Sequence, residues 1–150
     1  MEIIDPQKAA EVWKRVQGRP EPDAHSLLGL IQEEWKDAAL YIQLSRLIQG
    51  TSGMKLRQMA EQEQAHAACL KGIYTLITGS RPATATPNIR IDNISASLRM
   101  CYGREMRCLA QYEQRSSDPE YGKVFLKLSQ QELEHCRLLL EIIGTGKAGG

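Results

Sequence analysis

The sequence predicts an all-α fold, four long helices in an up-down bundle, on three observations. Ala, Leu, Gln, Glu and Arg are abundant while aromatics make up only 5% of residues, which favours helix over a β-rich core. Prolines stand only at positions 6, 20, 22, 82, 87 and 119, so long stretches remain in which nothing forbids continuous helix. Within those stretches apolar residues step by three and four, as a stripe facing a bundle core does.

Each element follows in chain order. Asp5-Pro6 opens a short N-terminal helix with Ala9, Val12, Trp13 and Val16 on one face, inside an arm over residues 1–22. Asp23 and Ser26 can cap the first long helix, which runs to about Gln49. Gly50-Thr51-Ser52-Gly53 is then a short loop of the kind that joins antiparallel neighbours. The second helix is expected from about Met54 to Thr78, with Gly79 as its stop. Ser80 to Asn88 holds two prolines and no apolar period, and reads as an extended connection long enough to cross the end of a bundle. Asp92, Asn93 or Ser95 caps a third helix that reaches about Arg115. Asp118-Pro119-Glu120 supplies an N-cap, a proline at the first helical position and an early acidic residue for a fourth helix ending before Gly144. The bundle domain is thus 23–143, with 144–150 expected to be a flexible tail.

Composition excludes several classes of function. With 19 Lys+Arg against 18 Asp+Glu the net charge is +1, which gives no electrostatic pull on nucleic acid or anionic lipid. No apolar run approaches the roughly 20 residues that cross a bilayer, and the N-terminus lacks a basic segment followed by an apolar one. Cys69, Cys101, Cys108 and Cys136 form no CxxC pair, zinc-ribbon spacing or disulfide framework, so a soluble protein of the reduced cytoplasm is expected.

The informative part of the stripes is where they are interrupted. The first reads Leu27, Ile31, Glu34, Ala38, Tyr41, Ser45, Ile48, and the second Leu56, Met59, Glu63, His66, Leu70, Ile73, Ile77. The third reads Ile94, Leu98, Cys101 or Tyr102, Glu105, Cys108 or Leu109, Tyr112, and the fourth Phe125, Leu128, Glu132, His135, Leu139, Ile142. Every helix points one Glu inward at mid-length, and two of them add a His one turn later.

Four carboxylates in one core repel each other, and each unpaired buried charge costs several kcal/mol, so something cationic must sit between them. A pair of divalent or trivalent metals does this, held by one Glu from each of two helices and a Glu-x-x-His from each of the other two. Glu63 with His66, and Glu132 with His135, each lie on one helix face and can offer an oxygen and a nitrogen to the same metal pair. A lone Glu-x-x-His is a weak signal. Here the chain repeats itself: Glu34 and Glu105 are each followed seven residues later by Tyr41 and Tyr112, then after spacings of 29 and 27 by the Glu-x-x-His pairs. The flanks agree as well, Met59-Ala60-Glu61-Gln62-Glu63-Gln64-Ala65-His66 against Leu128-Ser129-Gln130-Gln131-Glu132-Leu133-Glu134-His135, which points to a duplicated helical hairpin with pseudo-twofold ligation.

On these motifs the chain resembles the ferritin-like di-iron carboxylate superfamily, most closely its rubrerythrin-type domain, over nearly all of residues 26–143. The resemblance implies a ferritin-like bundle with a long crossover between helices 2 and 3. It also implies Glu34 and Glu105 as terminal ligands, Glu63 and Glu132 as bridges, and His66 and His135 each on one metal. Tyr41 and Tyr112 would be donors that orient carboxylates or hold a bound oxygen species. Rubrerythrins usually carry an extra carboxylate on the third helix one turn from its ligand Glu. Here Cys101, Tyr102, Cys108 and Leu109 stand one turn from Glu105, and Asp37, one turn after Glu34, is placed for a related part on the first helix. These 150 residues hold no CxxC pair such as the family's usual rubredoxin domain carries, so electrons are expected from another protein, such as a rubredoxin-like one.

The remaining side chains have blander readings. Cys101 and Cys108 lie near the metal face, but buried cysteine acting as a small apolar residue is the default, and Cys69 and Cys136 are further candidates for that role. His25 is expected to be solvated, Trp35 to pack at a helix interface, and Arg99, Arg104 and Arg107 to form a solvated basic face. Glu33, Glu61 and Glu134 flank the ligands but point elsewhere by periodicity.

The expected function is a non-haem di-iron oxidoreductase that reduces hydrogen peroxide or dioxygen to water at a Glu4His2 site, a role in oxidative stress, in a homodimer. The chemistry needs metals a few ångströms apart and carboxylates able to shift between bridging and terminal modes. Glu/His ligands accept manganese as well as iron. Two other readings stand beside it: a ferroxidase feeding iron storage, and a structural or interaction bundle with a metal-free polar core.

Overall fold

The computed structural model describes Gln7 and residues 24–145, and among them it has four α-helices and no strand. Helix α1 is Ala24–Leu47, α2 Thr51–Thr78, α3 Ile94–Arg115 and α4 Gly122–Thr145. The expected N-terminal helix with Trp13, the Asp23 cap and residues 146–150 of the tail lie outside the described residues.

Local chemistry accounts for the boundaries, including those that differ from expectation. α1 stops at Leu47 rather than Gln49, and α2 starts at Thr51 rather than Met54, because the Met54 amide bonds the Gly50 carbonyl at 3.1 Å and closes a helical turn there. That early turn needs Gly53, since a Cβ on it would run into the Ile48 carbonyl oxygen. α2 ends where Gly79 takes a left-handed backbone, φ 74°, and its amide bonds the Thr75 carbonyl. Of the three candidate caps for α3, Asn93 serves, its Oδ1 accepting from the Ala96 amide at 2.9 Å. Asp118 accepts from the Glu120 and Tyr121 amides at 2.9 and 2.8 Å, but these residues form a turn, and regular helix begins only at Gly122. At the far end α4 continues through Gly144 to Thr145, past its expected stop, because that glycine keeps the helical conformation and no proline follows it.

α1 packs along α2 and α3 along α4, giving two helical hairpins that face each other through α1 against α3 and α2 against α4. Between them residues 79–93 run back along α1. The Gln32 side chain donates to the Ala85 carbonyl at 3.1 Å and accepts from its amide at 3.2 Å, and Gln43 donates to the Ile89 carbonyl at 3.4 Å. Ile89 and Ile91 then rest on the core beside the end of α1. The crossover therefore brings α3 in at the opposite end from where α2 stopped, so α1 runs antiparallel to α3 and α2 to α4.

The core has two apolar layers. Leu40, Tyr41, Leu44, Leu56, Met59, Leu98, Leu139 and Ile142 form one, and Leu27, Leu30, Ile31, Leu70, Ile73, Tyr112, Phe125 and Leu128 the other. Each buried aliphatic or aromatic side chain contributes about 1.5–3 kcal/mol, and these two layers hold the helices in place around the polar positions between them. None of the described helices is long and apolar enough to cross a membrane.

Candidate metal centre

Between the apolar layers lie Glu34 on α1, Glu63 and His66 on α2, Glu105 on α3, and Glu132 and His135 on α4. The four glutamates and His135 have 0% exposure and His66 has 3%. Their ligand atoms fall into two groups, each within 4.8 Å: Glu34, Glu63, His66 and Glu132, and Glu63, Glu105, Glu132 and His135. Each group takes two Glu and a His from one hairpin and borrows the other hairpin's Glu-x-x-His glutamate. The six residues named from the repeat are thus brought together, with Glu63 and Glu132 shared.

The histidines point their Nδ1 atoms into the cluster. His66 Nδ1 lies 2.9 Å from Glu132 and 3.4 Å from Glu34, and His135 Nδ1 lies 2.6 Å from Glu63 and 3.7 Å from Glu105. The rings stack with centroids 5.9 Å apart. His135 Nδ1 and Glu63 Oε1 are close, yet their angles do not make a hydrogen bond, and both atoms stay without a partner. Glu34 Oε2, Glu63 Oε2, Glu105 Oε2 and Glu132 Oε2 are likewise buried and unpaired. Leaving one buried polar atom unsatisfied costs about 1–3 kcal/mol, so a set of orphaned oxygens and a nitrogen converging on one place calls for a cation. Four carboxylates and two imidazoles around two shared points fit a pair of transition metals.

Electrostatics carry the same message. Burial and the charge of Glu105 push the Glu63 carboxyl up, against the pull of His135. Burial opposes charge on His135, yet the Glu105 and Glu63 carboxylates push it up to about 9. Protons here stand where cations are wanted.

Tyr41 donates to Glu105 Oε1 at 2.6 Å and Tyr112 to Glu34 Oε1 at 2.7 Å, so each hairpin's tyrosine steadies a glutamate of the other hairpin. Burial pushes both phenols well above their ordinary range, which keeps them as donors.

The accessory candidates are arranged otherwise. Asp37 is buried, with one oxygen bonded to Arg104 Nε at 2.5 Å and the other unpaired, outside both ligand groups. Arg104 is not part of a solvated basic face as expected. It is 6% exposed and also reaches Glu33 at 2.6 Å, because its place beside Glu105 turns it toward α1. Arg99 and Arg107 are exposed. Cys101 and Cys108 pack in the two apolar layers as free thiols that burial pushes up, Cys101 up to about 12, and neither belongs to the two ligand groups. Tyr102 is half-buried against the first layer. Trp35 stacks under the Lys71 ammonium of α2, 5.0 Å from the ring centroid. A surface cavity of about 260 Å³ between α1 and α3 ends on Arg104 and Cys108 and touches none of the six residues.

Two residues that contact the clustered histidines were not singled out from the sequence. Gln62 Oε1 lies 2.5 Å from His135 Nε2, and Gln131 Oε1 meets His66 Nε2. The available signal was that each glutamine directly precedes a shared glutamate in the repeat.

A protein-family model, Rubrerythrin, matches residues 27–143, while no curated protein and no solved structure matches the chain. Bundle topology, repeated Glu/His cluster and a match over most of the length agree, and the chain belongs to the rubrerythrin family.

Proposed function

We propose that this protein is a di-iron peroxidase, reducing hydrogen peroxide to water with electrons from an external donor protein. The observation that carries the reading is the convergence of Glu34, Glu63, His66, Glu105, Glu132 and His135, with buried unpaired oxygens, at two shared points. Two irons bound there would supply the electrons and a point of contact for both oxygens of the substrate. The chain's own residues do the rest. Glu34 and Glu105 are each fixed through one oxygen by a tyrosine, which leaves the other free to move between partners. Glu63 and Glu132 face both groups and can bridge. The reaction takes up two protons and two electrons per peroxide, and Tyr41 and Tyr112 hold O–H groups against the carboxylates where charge changes.

The test is stopped-flow reoxidation of reduced, iron-loaded protein. Reoxidation by hydrogen peroxide should be much faster than for free ferrous iron and faster than by dioxygen, with both irons retained. Rapid consumption of dioxygen with growth of a ferric mineral would instead mark a ferroxidase, and no difference from free iron would sink the proposal. Manganese loading serves as a control, since the ligand types accept it.

A further inference from the structure

The outer edges of the two histidines are held across the hairpins. His135 on α4 meets Gln62 on α2 at 2.5 Å, and His66 on α2 meets Gln131 on α4, each through ring Nε2 and amide Oε1. An amide oxygen can only accept, so each contact places a ring proton on Nε2 and makes Nδ1 the nitrogen that a metal in the cluster would take. Both Nδ1 atoms face carboxylates of the cluster, at 2.9 Å for His66 and 2.6 Å for His135.

We propose that Gln62 and Gln131 are positioning residues of the dimetal centre: they fix both histidines as Nε2–H tautomers and, being neutral, hold its reduction potential above what a carboxylate in their place would give. This rests on the di-iron reading above. The reason for glutamine lies in the surroundings. A carboxylate accepting from Nε2–H would draw the ring toward imidazolate, strengthen it as a donor and favour the oxidised metal. It would also add charge beside a core that already holds four buried glutamates. A neutral acceptor orients the ring without either effect. The exchange is reciprocal, so the same two contacts tie α2 to α4 on either side of the stacked rings.

The test compares wild type with Gln62→Leu, Gln131→Leu, Gln62→Glu and Gln131→Glu. In zinc-loaded wild type, nitrogen-proton NMR should find both histidines protonated at Nε2 with slow solvent exchange. Gln62→Leu should expose the His135 proton alone and weaken metal binding, read by chelator competition, by about 10–100-fold, and Gln131→Leu should do the same at His66. The Glu variants should recover affinity but move the midpoint potential of the iron-loaded protein to more negative values, which a merely structural role would not do. Protonation at Nδ1 in wild type, Leu variants with unchanged affinity and exchange, or Glu variants with an unchanged potential would each overturn the proposal. Wild type that binds neither zinc nor iron overturns the dimetal reading together with this one. Wild type that binds iron, responds to these variants as described and ignores peroxide overturns only the peroxidase reading.

Discussion

Glu105 sits at the crossing of the site's two demands. Its Oε1 accepts from Tyr41, its Oε2 is buried and unpaired, and its charge pushes up Glu63 and Asp37. A metal would reward this arrangement, whereas the metal-free protein is strained by it. Glu105→Gln keeps the acceptor for Tyr41 and removes the charge. The metal-free variant should therefore be more stable by about 1 kcal/mol, a rise of about 2–4 °C in Tm for a chain of this size. Its metal content should fall from two ions per chain toward one. Calorimetry of the stripped protein and elemental analysis of the loaded protein check the two halves of that expectation.

At the scale of elements, the crossover is held to α1 by two side chains, Gln32 and Gln43, of which Gln32 makes two bonds. Gln32 bonds both the amide and the carbonyl of Ala85, copying a backbone ladder pair. Gln32→Ala should raise hydrogen exchange at Ala85 strongly and cost only about 1 kcal/mol in urea unfolding, because Ile89 and Ile91 still pack on the core. The helices themselves were legible from their stripes, since Leu27, Ile31, Leu56 and Leu128 can only repeat at that spacing if one face is buried. The ligand set was legible for the same reason: a Glu or His on an apolar stripe contradicts its neighbours. What escaped was contact across hairpins. Gln62, Gln131 and Arg104 are polar residues whose partners lie on another helix, so periodicity along one helix reads them as solvated. The start of α2 escaped because Thr51, Ser52 and Gly53 have loop-like propensity, and only the close fit of Gly53 against the Ile48 carbonyl and the Met54–Gly50 bond make a helical turn of them.

For the molecule as a whole, protons and metals compete for one core. Asp37 is pushed up from 3.8 to about 7, by burial first and then by the charge of Glu105, and Glu63 shifts in the same direction. A carboxyl that holds its proton more tightly when folded adds stability at low pH that is lost as pH rises from the unfolded to the folded value. His135 adds stability that is full below 6.5 and is lost as pH rises through about 9. Both signs agree: the Tm of the metal-free protein should fall steadily from about pH 4 to about pH 9, and Asp37→Asn should flatten the lower part of the curve. The loaded protein should behave in the opposite sense, since metal binding displaces protons and strengthens with pH. The gap between the two melting curves, followed by calorimetry across this range, should widen.

The topology also has a consequence for how the chain can be cut. Each hairpin contributes three of the six clustered residues, and each ligand group needs one glutamate from the other half. The halves are joined by residues 79–93, whose centre, Pro82 to Pro87, contributes nothing to the cluster. A protease nick within that segment should therefore leave two fragments that stay associated through the two apolar layers, keep their metals and come apart more readily when stripped. Size-exclusion chromatography of the nicked protein, with and without a chelator, would read the metal pair as a clasp between two complementing halves.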